Sequence, residues 1–129
     1  MGIQKIGVRE LLKIPSSERS SKYQIKGIIK SFSYCNSTLF HEKKESIRID
    51  AYLQEKNPFR LRKKFVKIEF PKMVLESNFS KIISAFQYSQ NEKEEISLEG
   101  FYYPITMIFI PNSLKMGKLE ESLGPHPLR

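Results

Sequence analysis

The stretch 23–35, YQIKGIIKSFSYC, is rich in β-branched and aromatic residues and carries Gly27 inside the run. That composition reads as a strand. A glycine within a strand marks a bulge or a sharp bend, because without a Cβ the backbone can turn or approach another segment closely. Ile25 and Ile29 share one parity, whereas Phe32 and Tyr34 take the other. A long first strand that bends between two sheets accounts for both features.

Working outward, 47–54 holds the cleanest alternation in the chain. Ile47, Ile49, Ala51 and Leu53 fall on one side, and Arg48, Asp50, Tyr52 and Gln54 on the other, so one face is core and the other is wet. After the loop EKNPFRLRKK, 65–70 alternates again, with Val66, Ile68 and Phe70 inward and Phe65, Lys67 and Glu69 outward. Pro71 stops that strand, and Leu75, Phe79, Ile82, Ile83 and Phe86 then recur at helical spacing. A polar turn at 90–95 leads into ISLEGFYYPITMIFI, where Pro104 cannot donate to a ladder and divides two strands, 95–103 and 105–110. Upstream, Val8, Leu11 and Leu12 predict a short helix or turn over 6–13, closed by Pro15, that plugs one end of a barrel. The segment 36–45 reads as a turn-prone connection, and 114–123 as a short helix within a polar tail. The expected division is a barrel over 1–111 and a partly ordered or flexible tail over 112–129.

A length of 129 residues fits one domain with a self-sufficient core. Twenty-two Lys and Arg against fourteen acids leave a net charge of +8, which favours polyanionic partners such as nucleic acid or an acidic membrane surface. The bland alternative is a Lys-rich solvated surface. One cysteine, Cys35, excludes an internal disulfide, and no apolar run has the length of a signal peptide or a spanning helix. The expectation is a soluble cytoplasmic or nuclear protein.

Chemistry is limited by inventory. Structural zinc takes four ligands, and the Cys and His side chains here are Cys35, His41 and His126. No third group orients a Cys35 and His41 pair as a nucleophile, so Cys35 reads as a small core or loop residue. No glycine-rich phosphate loop is present. No metal, cofactor or enzymatic activity is expected.

The stronger constellation is basic and aromatic. Lys56, Arg60, Arg62, Lys63, Lys64 and Lys67 stand with Phe59 and Phe65 among them, and no acid intervenes. The outward phases of the second and third strands add Arg48 and Tyr52 on one face, with Phe40, Lys43 and Lys44 at its rim. Single-stranded nucleic acid needs cations that track phosphates and rings on which bases stack. The competing reading is a protein partner. Phe101, Tyr102 and Tyr103 cannot all point inward, and the helix around 75–86 offers apolar width through which a homodimer could form.

With these elements placed, the chain resembles the OB superfamily, in particular the small single-barrel subunits of replication protein A and telomere-capping complexes. The resemblance covers about 5–111 and rests on YQIKGIIKSF as a glycine-bent first strand and on the helix preceding ISLEGFYY. It implies a mainly β fold with one main helix: a five-stranded OB-type barrel in the order β, β, β, α, β, β, with the short N-terminal helix added. It also implies one of two roles: single-stranded nucleic-acid binding through the face of strands two and three, or a scaffold holding a larger OB partner. The connection at Tyr103 and Pro104 is shorter than such a clamp would use. A membrane-peripheral adaptor is a further class, but the basic amphipathic helix it would use is missing from this reading.

Overall fold

The computed structural model describes residues 3–39, 44–56, 64–116 and 119–122. In chain order the elements are β1 (Gln4–Lys5), α1 (Val8–Leu12), β2 (Ser21–Leu39), β3 (Lys44–Gln54), β4 (Phe65–Ile68), α2 (Lys72–Glu92), β5 (Ile96–Tyr103), β6 (Ile108–Met116) and β7 (Leu119–Ser122). Five of the strands close on themselves. The path β2-β3-β4-β6-β5 returns to β2, with β4 and β6 parallel and the other barrel contacts antiparallel. A mainly β, closed five-stranded barrel with its main helix between the third and fourth barrel strands is the expected architecture.

The 19-residue β2 makes closure possible because it serves two neighbours. Ser21 to Gly27 pair with β5, and from Ile28 onward the strand pairs with β3. Gly27 sits at the handover. A Cβ there would collide with the backbone carbonyl of Gln54, so the close approach of β2 to β3 requires glycine. The bulge itself lies three residues on: Ile29 faces Leu53 and Ser31 faces Tyr52, leaving Lys30 as the extra residue. One inserted residue exchanges inward and outward positions, which is why Ile25 and Ile29 share one parity and Phe32 and Tyr34 the other.

The barrel interior is filled by Ile25, Ile29, Ile49, Leu53, Val66, Ile68, Leu98, Phe109 and their neighbours, all buried. α1 contributes Val8 and Leu11, both fully buried. Glu55, just past β3, steadies this short helix by accepting a hydrogen bond from the Arg9 backbone N–H at 3.1 Å. α2 turns Val74, Leu75, Ile82, Ala85 and Phe86 inward, and Phe79 and Ile83 pack against the same core. Phe86 meets Phe32 edge-on with centroids 5.9 Å apart, and Phe79 meets Tyr34 at 5.8 Å. The apolar width of α2 is thus spent within its own chain. Its exposed large apolar residues are Met73 and Tyr88.

Three expected boundaries differ. β2 continues to Leu39 and β3 resumes at Lys44, narrowing the connection predicted over 36–45. Pro104 opens a tight turn at 104–107 rather than abutting a second strand, with the Met107 N–H bonded to the Tyr103 carbonyl at 2.8 Å. Where a helix is expected over 114–123, the described residues are strands instead: β6 runs to Met116 and β7 pairs back onto it. Pro111 is accommodated inside β6 because the ladder to β5 shifts register beside it, between Glu99 and Gly100. A bulge is where a strand tolerates a residue without an N–H.

Candidate functional site

The outer face of β2, β3 and β4 carries its side chains in rows set by strand register. Ser31, Tyr52 and Lys67 lie across from one another, Ser33 faces Asp50, and Gln54 faces Phe65. Tyr52 meets Phe65 edge-on, with ring centroids 5.4 Å apart and planes 87° apart. Phe65 remains 41% exposed, enough of a ring for a flat ligand to cover. Above it stands a cation: the Lys30 Nζ is 4.0 Å from the ring centroid.

Lys30 reaches that position because it is the bulged residue, and α2 holds the bulge. Past Gly27 the ladder to β5 has ended, so the next backbone groups of β2 need other partners. The Ile29 N–H donates to the Ser89 hydroxyl at 3.1 Å, and that hydroxyl donates to the Glu94 carbonyl at 2.7 Å. The Gln90 side-chain amide donates to the Lys30 carbonyl at 3.1 Å. Two consecutive helix residues thereby fix the kink that aims Lys30 over Phe65.

Beside the ring pair, a groove of about 370 Å³ is lined by Ser31, Phe32, Ser33, Asp50, Tyr52 and Lys67. Arg48 Nε lies 3.0 Å from Asp50 Oδ2, and Lys67 Nζ 3.0 Å from Glu69 Oε1. The hydrogen bond and charge of Glu69 raise the Lys67 pKa, against a small opposing effect of desolvation. Lys67 is therefore firmly cationic. Exposed ion pairs of this kind contribute about 0–1 kcal/mol, so either cation can exchange its carboxylate for another anion at little cost.

Of the residues expected to bind a polyanion, Arg48, Tyr52, Phe65 and Lys67 share this face, Lys64 is exposed immediately before β4, and Lys44 begins β3. Phe40, Lys43, Phe59, Arg60, Arg62 and Lys63 lie outside the described residues. Lys30, Ser31 and Ser33 join the face unanticipated. The parity change between Ile29 and Phe32 is the sequence signal that could have found them, since it demands an inserted residue. Cys35 is half-buried in β2 opposite Arg48, on a strand rather than in core or loop. Of the expected partner surface, Tyr102 is fully buried in the core and so is no surface contact, while Phe101 and Tyr103 are half-buried. Alternation on β5 forces that division. Burial raises the Tyr102 pKa, and its hydroxyl has no hydrogen-bond partner among the described residues.

A chain of the crystal structure of yeast Stn1 and Ten1 superposes with a TM-score of 0.59 at 9% identity, covering 92% of this chain. The fold is an OB barrel. This chain spans 64% of the length of the Stn1 and Ten1 chain it matches. The S. cerevisiae mitochondrial single-stranded DNA-binding protein Rim1 is also similar, at a TM-score of 0.47 and 11% identity over 77% of this chain and 95% of that one. No family model matches the sequence, and no curated protein matches it. Among the described residues, no group of three or more His, Cys, Asp or Glu side chains could hold a metal ion, and no helix is long and apolar enough to cross a membrane.

Proposed function

We propose that this chain is a non-catalytic binding protein for single-stranded nucleic acid, and that the outer face of β2, β3 and β4 is its binding surface. The observation that carries this reading is the half-exposed Phe65 ring, braced by Tyr52 and overlain by Lys30. A cation over an exposed ring gains about 0.5–1 kcal/mol, and a nucleobase stacked on the same ring gains about 1–3 kcal/mol. The base therefore displaces Lys30, whose ammonium is then free to meet the adjoining phosphate. Arg48, Lys64 and Lys67 supply further cations along the same face, and the net charge of +8 favours approach of a polyanion. A duplex keeps its bases stacked on one another, so the ring pair selects for single strands.

Fluorescence anisotropy of labelled single- and double-stranded oligonucleotides across a salt series tests this reading. Tight single-strand binding that weakens with salt, and weakens by a further factor of about 5 to 150 in Phe65→Ala, is the expected result. Equal binding of duplex and single strand, or a Phe65→Ala variant that binds as the parent does, would refute it.

A second reading, an OB-type protein-interaction module, is favoured by the tip between β5 and β6. Ile105 is 80% exposed there and Met107 48%, beside the half-buried Tyr103. The Stn1 and Ten1 structure likewise holds two different proteins. If oligonucleotides fail to bind at low salt, this tip is the surface to mutate, with Ile105→Ser and Met107→Ser expected to abolish partner association.

A further inference from the structure

Asp50 is the unexpected group on this face. A carboxylate among phosphate-binding cations repels the backbone it lies beside, so its position beside the ring pair calls for another role. Its Oδ2 accepts from Arg48 at 3.0 Å, and the side chain is 27% exposed at the groove shared with Ser31, Ser33, Tyr52 and Lys67. An ionised carboxylate has acceptor sites on both oxygens, so among the described residues the Arg48 contact leaves Oδ1 and part of Oδ2 open. A nucleobase in this groove would meet the Tyr52 ring and its hydroxyl, the Asp50 carboxylate, two serine hydroxyls and the Lys67 ammonium.

We propose that Asp50 makes this groove a guanine-reading pocket within the proposed single-strand interface, an inference that rests on that function. Guanine is the base that presents two adjacent donors, N1–H and the 2-amino group, to a carboxylate with two acceptor oxygens. Its O6 acceptor, next to those donors, suits the Lys67 ammonium or a serine hydroxyl. Thymine and uracil offer one ring N–H flanked by two carbonyl oxygens, which a carboxylate repels. Cytosine and adenine each offer a single exocyclic amine and no adjacent ring N–H. The Arg48 ion pair orients Asp50 for this contact.

The test is anisotropy on the full chain and on Asp50→Asn in lithium salt. The probes are equal-length strands of oligo-dT and of alternating thymine with guanine, hypoxanthine, cytosine or adenine. Alternation offers every register the same bases. The expected result is a preference of about fivefold to tenfold for the guanine strand over oligo-dT, the lower part of what a bidentate base contact supplies. Hypoxanthine, which lacks the 2-amino group, should lose most of that preference. Asp50→Asn should bind oligo-dT more tightly, because a negative charge is gone, while its guanine preference disappears. Equal gains for cytosine and adenine strands, or an Asp50→Asn variant that strengthens every strand by one common factor, would overturn the pocket and leave the single-strand function standing. Absence of binding to every strand at low salt would overturn both. Asp50→Asn keeps the side chain's shape and removes only a partly exposed ion pair, so its thermal unfolding midpoint should stay within a few degrees of the parent's.

Discussion

Replacing Ser89 with alanine removes the hydroxyl that connects α2 to the bulge of β2. Ser89 is fully buried, and its oxygen accepts from the Ile29 N–H at 3.1 Å while donating to the Glu94 carbonyl at 2.7 Å. Glu94 is exposed, so water can take over at its carbonyl. Ile29 is 1% exposed, and its N–H would be stranded. An unsatisfied buried donor costs about 1–3 kcal/mol. Alanine recovers about 0.5 kcal/mol through better helix propensity, leaving a net loss of about 0.5–2.5 kcal/mol by that arithmetic. Urea unfolding measures it, with Ser84→Ala on the exposed side of the helix as the control expected within about 0.5 kcal/mol of the parent. The loss should come with weaker single-strand binding, because a relaxed bulge no longer holds Lys30 beside the stacking ring, where its ammonium meets the adjoining phosphate. A Ser89→Ala variant as stable as the Ser84→Ala control would refute the view that α2 holds the bulge in place.

Lys93 ends α2 in the left-handed region at φ 57°, where a residue with a Cβ is disfavoured, so Lys93→Gly should stabilise the fold by about 0.5–1 kcal/mol in the same unfolding assay. Gly27→Ala drives a Cβ into the Gln54 carbonyl at the handover of β2, and a loss of about 2–3 kcal/mol in chemical denaturation is expected. Tyr102→Phe removes a buried hydroxyl that has no partner among the described residues, and should be neutral or stabilising by up to about 1 kcal/mol. Burial holds the Tyr102 pKa above its ordinary 10.0. The unfolded chain therefore releases this proton before the native state does, and stability falls as pH rises past 10.0. Tyr102→Phe should flatten that alkaline decline when unfolding is followed from pH 8 to 11.

The barrel was legible because its strands alternate and its breakers are placed where strands end. Ile49, Ala51 and Leu53 against Asp50, Tyr52 and Gln54 set the orientation of β3 unambiguously, and Pro71 divides β4 from α2. Gly27 correctly marked a bend, but the bulge belongs to Lys30, and only tertiary partners, Ser89 and Gln90, explain why the insertion falls there. Those partners lie 60 positions away in the chain, beyond the reach of any local pattern. The same limit hid the β6 extension past 110: Pro111 lacks the N–H a ladder needs, and only the register shift opposite it lets the strand continue. On the site, alternation brought Arg48, Tyr52, Phe65 and Lys67 to one face, whereas the ring geometry and the cation above it depend on how β2 is bent.

The chain contains no tryptophan, so Phe65→Trp places a single indole reporter on the proposed stacking ring. Titrating this variant with a single-stranded oligonucleotide should quench its fluorescence as a base stacks on the indole, with the quenching reversed by salt and absent for a duplex. Binding by anisotropy with the indole emission unchanged would contradict the claim that this face, through that ring, receives the nucleic acid.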